Sequence, residues 1–181
     1  MPDFILEGIK GTETEKNLYY ALGGESQAHL KYKIYAKKAK EEGFVEIQKL
    51  FDTISDNEKA HAEIWFRYLG GAGSTAQNLD ASAGGEHFEW SSMYKQFAQT
   101  ARSEGFPALA ELFDKVGAIE NEHEQKFRSC LQKLDDGSMF RGSGAETKWI
   151  CLNCGHIHTG AEPPRLCPVC SHPEGYFKEL S

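Results

Sequence analysis

The sequence predicts an all-α protein, a four-helix bundle followed by a small domain held together by a metal ion. Up to position 136, apolar residues recur every three or four positions, which is the period of one face of an α-helix. Residues 137–147 are rich in glycine and serine, as is typical of a linker. The last segment, 148–181, contains four of the five cysteines and is too short to build a sufficient core. We therefore predict a bundle over 1–136, a linker over 137–147 and a metal-bound domain over 148–181.

The first two helices have clear boundary signals. One is predicted to begin near Thr12, whose hydroxyl can cap it while Glu15 reaches back in a capping box, and to end near Gly43. The next is predicted over about 44–69, where Gly70-Gly71 ends it. Because the turn between them is short, we expect the two helices to form an antiparallel hairpin.

The third and fourth helices form a second predicted hairpin. The third spans about 77–104 and is the least regular, which we attribute to an interruption at Gly84-Gly85. The fourth begins with Pro107 in its first turn. The nine residues 70–78 that join the hairpins reach at most about 30 Å when extended, so a parallel crossover barely fits. An exchange of helices between two subunits is therefore a hypothesis.

Acidic residues interrupt the apolar faces of all four helices. The interrupting glutamates are Glu25, Glu58, Glu86, Glu89 and Glu120, and the histidines that follow two of them by three positions are His61 and His123. Burying an ionised carboxylate without a partner costs several kcal/mol, and these faces carry no lysine or arginine. One glutamate from each of two helices and a Glu-x-x-His pair from each of the other two form the site of di-iron and di-manganese carboxylate proteins. We predict a dinuclear metal site from these seven residues.

Four other residues on these faces have more than one interpretation. His29 follows Glu25 by one turn and is expected in the core or beside a ligand rather than on a metal. Cys130 is expected to be a small buried apolar residue. Tyr32 and Tyr94 either pack in the core or donate hydrogen bonds that orient the ligand carboxylates.

The C-terminal segment contains two Cys-x-x-Cys pairs separated by twelve residues. Their members are Cys151, Cys154, Cys167 and Cys170. Four thiolates form a tetrahedral site that suits zinc or iron, and a structural zinc ribbon is the simpler interpretation. With Trp149 ahead of one pair and Pro168-Val169 inside the other, the segment resembles rubredoxin, which favours iron, although zinc can occupy such a site in preparations. An iron bound by cysteines carries one electron, whereas zinc carries none.

The composition argues against several classes of function. The chain has 20 Lys and Arg against 27 Asp and Glu, a net charge of −7, so it lacks the positive charge that binds a phosphate backbone. Nucleic acid is therefore not an expected partner. The apolar runs are far shorter than the roughly 20 residues that cross a bilayer, and no secretory signal is visible at the N-terminus. We expect a cytoplasmic protein that does not span a membrane.

Taken together, the two halves resemble rubrerythrin, a family of ferritin-like di-iron bundles with a C-terminal rubredoxin domain. The resemblance covers residues 8–180. It rests on the cysteine pairs and on the motifs Gly24-Glu25-Ser26-Gln27-Ala28, Glu58-Lys59-Ala60-His61, Gly85-Glu86-His87-Phe88-Glu89 and Glu120-Asn121-Glu122-His123. It implies that Glu58 and Glu120 bridge two irons, that Glu25 is a terminal ligand of the first, and that Glu86 and His123 hold the second.

The resemblance also implies a ligand exchange at the first iron, with Glu89 bound in the oxidised state and His61 in the reduced state. Tyr32 and Tyr94 match tyrosines that contact the ligands in this family. Trp90 stands where the family usually has tyrosine.

The activity that the resemblance implies is the reduction of hydrogen peroxide to water by a non-haem di-iron peroxidase. Electrons would come from an NAD(P)H-dependent reductase through the rubredoxin-type iron. A head-to-tail homodimer, with the rubredoxin domain of one subunit against the bundle of the other, is implied as well. Two alternatives stay open: a ferroxidase that handles iron, and a zinc-ribbon binding module without redox activity.

Overall fold

The computed structural model describes residues 8–180. Residues 1–7, for which no secretory signal is predicted, and residue 181 lie outside the described residues. The described chain divides into two compact units, one ending at Gly73 and the other beginning at Ser74. The first contains two long helices, and the second contains the other helices and a small β-sheet. These elements confirm the predicted class, long helices followed by a small domain, whereas the predicted domain boundaries stay a prediction.

The first unit is an antiparallel hairpin of α1 (Glu13–Glu41) and α2 (Val45–Tyr68), close to the predicted bounds. The hydroxyl of Thr12 accepts the main-chain N–H of Glu15 at 3.1 Å, as predicted. The carboxylate of Glu15 reaches back to the N–H of Gly11 at 2.6 Å, one residue before the position that a capping box uses. Thr12 therefore caps α1, but the predicted capping box does not form, because the N–H of Thr12 donates to the carbonyl of Ile9 instead of to Glu15.

The hairpin of α1 and α2 is fastened at its centre by a fully buried serine. The hydroxyl of Ser55 on α2 donates to the carbonyl of His29 on α1 at 2.9 Å, and Nδ1 of His29 donates to the carbonyl of Ser55 at 2.9 Å. Two small residues further along α1, Ala36 and Ala39, are also buried. His29 thus belongs to the packing between the helices, one of the two positions that the sequence left open.

Replacing Ser55 by alanine removes a buried hydrogen bond worth about 1 kcal/mol. For a chain of this length we expect the thermal midpoint of the metal-free protein to fall by about 2–4 °C. Circular dichroism at the helical band measures it. Ser26→Ala is the matched control, because the hydroxyl of Ser26 is exposed and bonds only to Leu22 of its own helix. An equal change in both variants would contradict a role for Ser55 in joining the helices.

The third predicted helix is one helical run with an irregular turn inside it. It consists of α3 (Thr75–Phe88), a π-helical segment (Glu89–Met93) and α4 (Tyr94–Ser103). The predicted interruption at Gly84-Gly85 is wrong, because both glycines lie within α3. A glycine costs a helix about 1 kcal/mol relative to alanine, which the packing of a long helix offsets.

The second hairpin is completed by α5 (Pro107–Asp135), which has proline in its first turn as predicted. Both α3 and α4 pack against α5. The tight turn before α5 includes Gly105 with a φ of 85°, a conformation that favours glycine. Ala98, Ala101 and Ala110 are buried where α4 meets α5, with Phe113 packed against them.

The small domain is a three-stranded antiparallel sheet in the order β2-β1-β3. Its strands are β1 (Lys148–Cys151), β2 (Ile157–Thr159) and β3 (Phe177–Glu179). Trp149 is buried against Cys151, Cys167 and Phe177, and its indole N–H donates to the carbonyl of Gly160 at 3.0 Å. Two cysteines are thus part of the only sizeable cluster of buried side chains within the described part of this domain. Among residues 8–180, no helix has an apolar stretch long enough to cross a membrane.

Candidate metal centres

The first hairpin brings together one carboxylate–imidazole group. Glu25 lies on α1, and Glu58 and His61 lie one turn apart on α2, so that one donor atom of each falls within 4.8 Å of the others. Nδ1 of His61 is 3.0 Å from the carboxylate of Glu58 and 3.9 Å from that of Glu25. The side chain of Glu58 is 18% exposed and that of Glu25 is 28% exposed.

The second hairpin repeats this arrangement. Glu86 comes from α3, and Glu120 and His123 come from α5, again with donor atoms within 4.8 Å of one another. Nδ1 of His123 is 2.7 Å from the carboxylate of Glu120 and 3.8 Å from that of Glu86. Six of the seven predicted ligands therefore lie in two groups of identical composition, two carboxylates and one imidazole each.

One carboxylate in each group has a raised pKa. Burial raises the pKa of Glu25, and its neighbour Glu58 raises it further, while His61 opposes the shift. Burial also raises the pKa of Glu86, Glu120 adds to it, and a histidine again opposes. A carboxylate whose ionised form is disfavoured by burial and by a second carboxylate, with an imidazole beside both, fits a site for a metal cation. Carboxylate oxygens and imidazole nitrogens are donors that iron accepts.

The raised pKa of Glu86 has a measurable consequence for the stability of the metal-free protein. Because the pKa of Glu86 is raised on folding, its protonated form is favoured, and the associated stability is lost as pH rises through the folded pKa. We therefore expect metal-free Glu86→Gln to match the wild type near pH 4 and to be more stable than the wild type at pH 7.

Urea unfolding at a series of pH values measures this difference. Glu122→Gln serves as the control, since Glu122 is exposed on α5 with its carboxylate 3.9 Å from Lys126. A Glu86→Gln variant that is less stable than the wild type at pH 7 would contradict the claim that the ionised form of Glu86 is disfavoured in the folded, metal-free protein.

Glu89, the seventh predicted ligand, is the first residue of the π-helical segment and stands outside the group of three. Its carboxylate nevertheless raises the pKa of Glu86. Burial raises the pKa of the Tyr94 phenol, and the charges of Glu89, Glu120 and Glu86 raise it further. Tyr94 therefore lies beside the carboxylates and keeps its proton, as a hydrogen-bond donor to them must.

Tyr32, the counterpart of Tyr94 in the first hairpin, has contacts of a different kind. Its ring lies 6.4 Å from that of Tyr35 and 6.1 Å from that of Phe51, so aromatic packing surrounds it. Cys130 is half-buried on α5 rather than buried, and it belongs to neither carboxylate group.

The contacts of two tryptophans and one glutamate near these groups are not predicted by the sequence analysis. Trp65, one turn after His61, has a buried indole N–H without a hydrogen bond of good geometry in the described residues, and it lowers the pKa of Glu25. Trp90 donates to the carboxylate of the buried residue Glu124, which follows Glu120 by one helical turn. That spacing of four along α5 was the available signal for Glu124.

The four cysteines form the third candidate centre, with all four sulfurs within 4.8 Å of one another. The Sγ atoms of Cys151 and Cys170 are 3.7 Å apart, and those of Cys154 and Cys167 are 3.6 Å apart. Chiefly because the main-chain N–H of His172 donates to it, Cys170 has a pKa lowered to about 5. Four convergent sulfurs, one of which ionises readily, fit a tetrahedral metal site.

The two cysteine pairs lie on matching turns. The N–H of Gly155 donates to the carbonyl of Cys151, and the N–H of Ser171 donates to the carbonyl of Cys167. Gly155 and Ser171 both have positive φ, 77° and 58°. These turns present each pair of sulfurs toward the other.

Comparisons with known proteins agree with these centres. The family model described as rubrerythrin matches residues 16–131, and the model described as the rubredoxin-like domain of rubrerythrin matches residues 149–178. The chain is 40% identical to a rubrerythrin of Porphyromonas gingivalis, over 96% of this chain and 93% of that one. It is 38% identical to a rubrerythrin of Nitratidesulfovibrio vulgaris, over 97% and 98% of the two chains. Rubrerythrin-1 of Clostridium acetobutylicum is 37% identical, over 97% and 98%.

Proposed function

Because the chain belongs to the rubrerythrin family, whose members are oxidoreductases with a dinuclear iron site and a cysteine-bound iron, we propose that it reduces hydrogen peroxide to water. The observation that carries this proposal is the presence of three donor groups in one chain. Two groups of carboxylate and imidazole suit a dinuclear centre, and the four sulfurs suit a carrier of single electrons. A ferroxidase takes electrons from its substrate iron and has no need of the third group.

In this proposal each hairpin supplies three iron ligands from its donor group, and the second hairpin adds a fourth ligand, Glu89. Glu25, Glu58 and His61 come from the first hairpin, and Glu86, Glu120 and His123 come from the second. Glu89 is proposed as the ligand of the oxidised state, which its place beside Glu86 supports. Cys151, Cys154, Cys167 and Cys170 hold the single iron.

Reduction of one peroxide molecule consumes two electrons and two protons and yields two water molecules. When bound, the iron pair supplies both electrons for cleavage of the O–O bond. The protein's part is to hold the donors in place and to fix the hydrogen bonds around them. Tyr94 retains its proton at Oη. The phenol can therefore donate a hydrogen bond to a neighbouring carboxylate and so orient that carboxylate.

The electron source is proposed to be an NAD(P)H-dependent reductase that delivers electrons one at a time to the cysteine-bound iron. A homodimer, with or without an exchange of helices, and a cytoplasmic location are parts of the same proposal. The short connection between the hairpins, as read from the sequence, supports the exchange.

Peroxide-dependent oxidation of NADH, in a mixture of anaerobically purified full-length protein and a rubredoxin-type reductase, tests this function. We expect turnover that requires both the reductase and peroxide. Oxidation of added Fe²⁺ that proceeds faster than reductase-dependent turnover would favour the ferroxidase. A colourless protein with zinc at the cysteines of native material, together with no turnover, would favour a binding module.

A further inference from the structure

The two helical hairpins carry matching residues at matching positions, with one exception. Gly23-Gly24-Glu25 corresponds to Gly84-Gly85-Glu86, Tyr32 to Tyr94, Glu58 to Glu120 and His61 to His123. Tyr32 follows Glu25 by seven positions, whereas Tyr94 follows Glu86 by eight. The second hairpin therefore contains one additional residue between its first glutamate and its tyrosine.

The additional residue is accommodated in the π-helical segment Glu89–Met93. This segment begins at Glu89, whose counterpart in the first hairpin is Ala28 in an uninterrupted α-helix. A π-turn is wider than an α-turn and is rare, and where it occurs it often lies at a functional site. Such a turn needs contacts from neighbouring elements to hold it.

Those contacts converge on one buried carboxylate of α5. The indole N–H of Trp90 donates to Oε2 of Glu124 at 2.5 Å, and Nδ1 of His87 lies 3.1 Å from the same oxygen. Nε of Arg128 donates to Oε1 at 2.6 Å. The side chain of Glu124 is 9% exposed, and these donors, Trp90 first among them, lower its pKa to about 2. In the first hairpin the corresponding residue is Ala62, which cannot accept a hydrogen bond through its side chain.

Two further contacts fit the wider turn to α5. A Cβ atom added at Gly117 would stand 3.2 Å from Cβ of Tyr94 and 4.0 Å from Cα of Trp90, so glycine leaves room for the segment there. The counterpart of Gly117 is Ser55, which bonds to α1 in the first hairpin. The ammonium group of Lys95 lies 5.1 Å from the centre of the Trp90 ring, which also holds the indole.

We propose that Glu124 is a positioning residue for Glu89: through Trp90 and His87 it holds the π-helical segment against α5 and so fixes how Glu89 presents its carboxylate beside Glu86. The inference rests on the proposed function in one respect, the role of Glu89 as an iron ligand. Trp90 is the residue of the π-helical segment that bonds to Glu124, so a change at Glu124 reaches Glu89 through Trp90. Glu124 itself is a member of neither carboxylate–imidazole group.

Hydrogen exchange of the metal-free full-length protein, read by mass spectrometry on peptides covering 89–93, tests the anchoring step. We expect exchange at least ten-fold faster in Glu124→Ala and in Trp90→Phe, because each removes the bond between the segment and α5. Glu122→Ala, on the exposed side of α5, should leave exchange unchanged. Trp90→Phe retains an aromatic ring, so it keeps the test open if Glu124→Ala does not fold. Unchanged exchange in Trp90→Phe would overturn the proposal.

The visible and near-ultraviolet spectrum of the iron-loaded, oxidised protein tests the positioning step. We expect Glu124→Ala and Trp90→Phe to shift the bands of the dinuclear centre in the same direction as Glu89→Ala. Glu124→Gln keeps an oxygen that can accept from Trp90 and should restore the wild-type spectrum at least in part. Faster exchange with an unaltered spectrum would overturn the proposal, since Glu124 would then only stabilise the helix.

These readouts separate the inference from the proposed function. If the wild-type protein fails to reduce peroxide, the exchange and spectral effects of Glu124→Ala are still expected. If it reduces peroxide but the variants leave both readouts unchanged, the inference fails while the proposed function holds.

Discussion

Replacement of Glu120 by alanine is expected to remove most of the iron from the dinuclear site while leaving the cysteine-bound iron in place. Glu120 is the most buried carboxylate of its group, 15% exposed, and lies 2.7 Å from Nδ1 of His123. Loss of a residue that merely supports a metal ligand lowers affinity by about 10–100-fold, and loss of a ligand should exceed that. Iron analysis of anaerobically purified protein measures the effect, and the cysteine-bound iron of the same chain is the internal standard.

Glu122→Ala is the matched control for this substitution, because it removes an exposed carboxylate from the same helix. It should bind as much iron as the wild type. Peroxide turnover should fall at least about 100-fold in Glu120→Ala and stay unchanged in the control. Equal iron content in the two variants would mean that the carboxylate groups do not hold the dinuclear centre.

Replacement of Cys154 by serine is expected to abolish turnover with NADH and the reductase while the helices remain folded. Cys154 is the exposed member of the four-sulfur group, and a serine oxygen is a poor substitute for a thiolate on a cysteinyl iron. Steady-state oxidation of NADH should fall at least about 100-fold. Oxidation of the chemically reduced protein by one equivalent of peroxide should still occur, since the carboxylate groups are intact.

Cys130→Ser provides the control for the loss of a thiol. Cys130 is half-buried on α5 and belongs to none of the candidate centres, so both reactions should proceed as in the wild type. If chemically reduced Cys154→Ser were no longer oxidised by one equivalent of peroxide, the cysteine site and the carboxylate groups would not act independently. Undiminished NADH oxidation would remove the cysteine-bound iron from the electron path.

Much of the architecture could be predicted because the signals are local. Pro107 at the start of α5 and the Thr12 cap of α1 are signals within one turn of a helix. Glu120 and His123 share a face because they are three positions apart, and the structure places their donor atoms 2.7 Å apart. Each carboxylate–imidazole group could be predicted because its Glu-x-x-His pair lies on a single helix.

The features that could not be predicted depend on pairs of residues far apart in the sequence. The bond between Trp90 and Glu124 joins residues 34 positions apart, and it forms only once α5 has packed against the segment. The sequence shows that the third helix is irregular, but it predicts the irregularity at Gly84-Gly85, because glycine is the usual sign of a break. A π-turn has no comparable local signal. In this chain its sign is the additional residue between Glu86 and Tyr94 relative to the first hairpin.

The central claim is that acidic side chains in the two helical hairpins are tolerated because they bind a pair of iron ions. Mössbauer spectroscopy combined with iron analysis, on full-length protein purified anaerobically, tests this claim most directly. We expect a coupled pair of irons with oxygen and nitrogen ligands, together with a separate iron bound by four sulfurs. A spectrum that contains only the sulfur-bound iron, and that gains no coupled pair when Fe²⁺ is added, would contradict it.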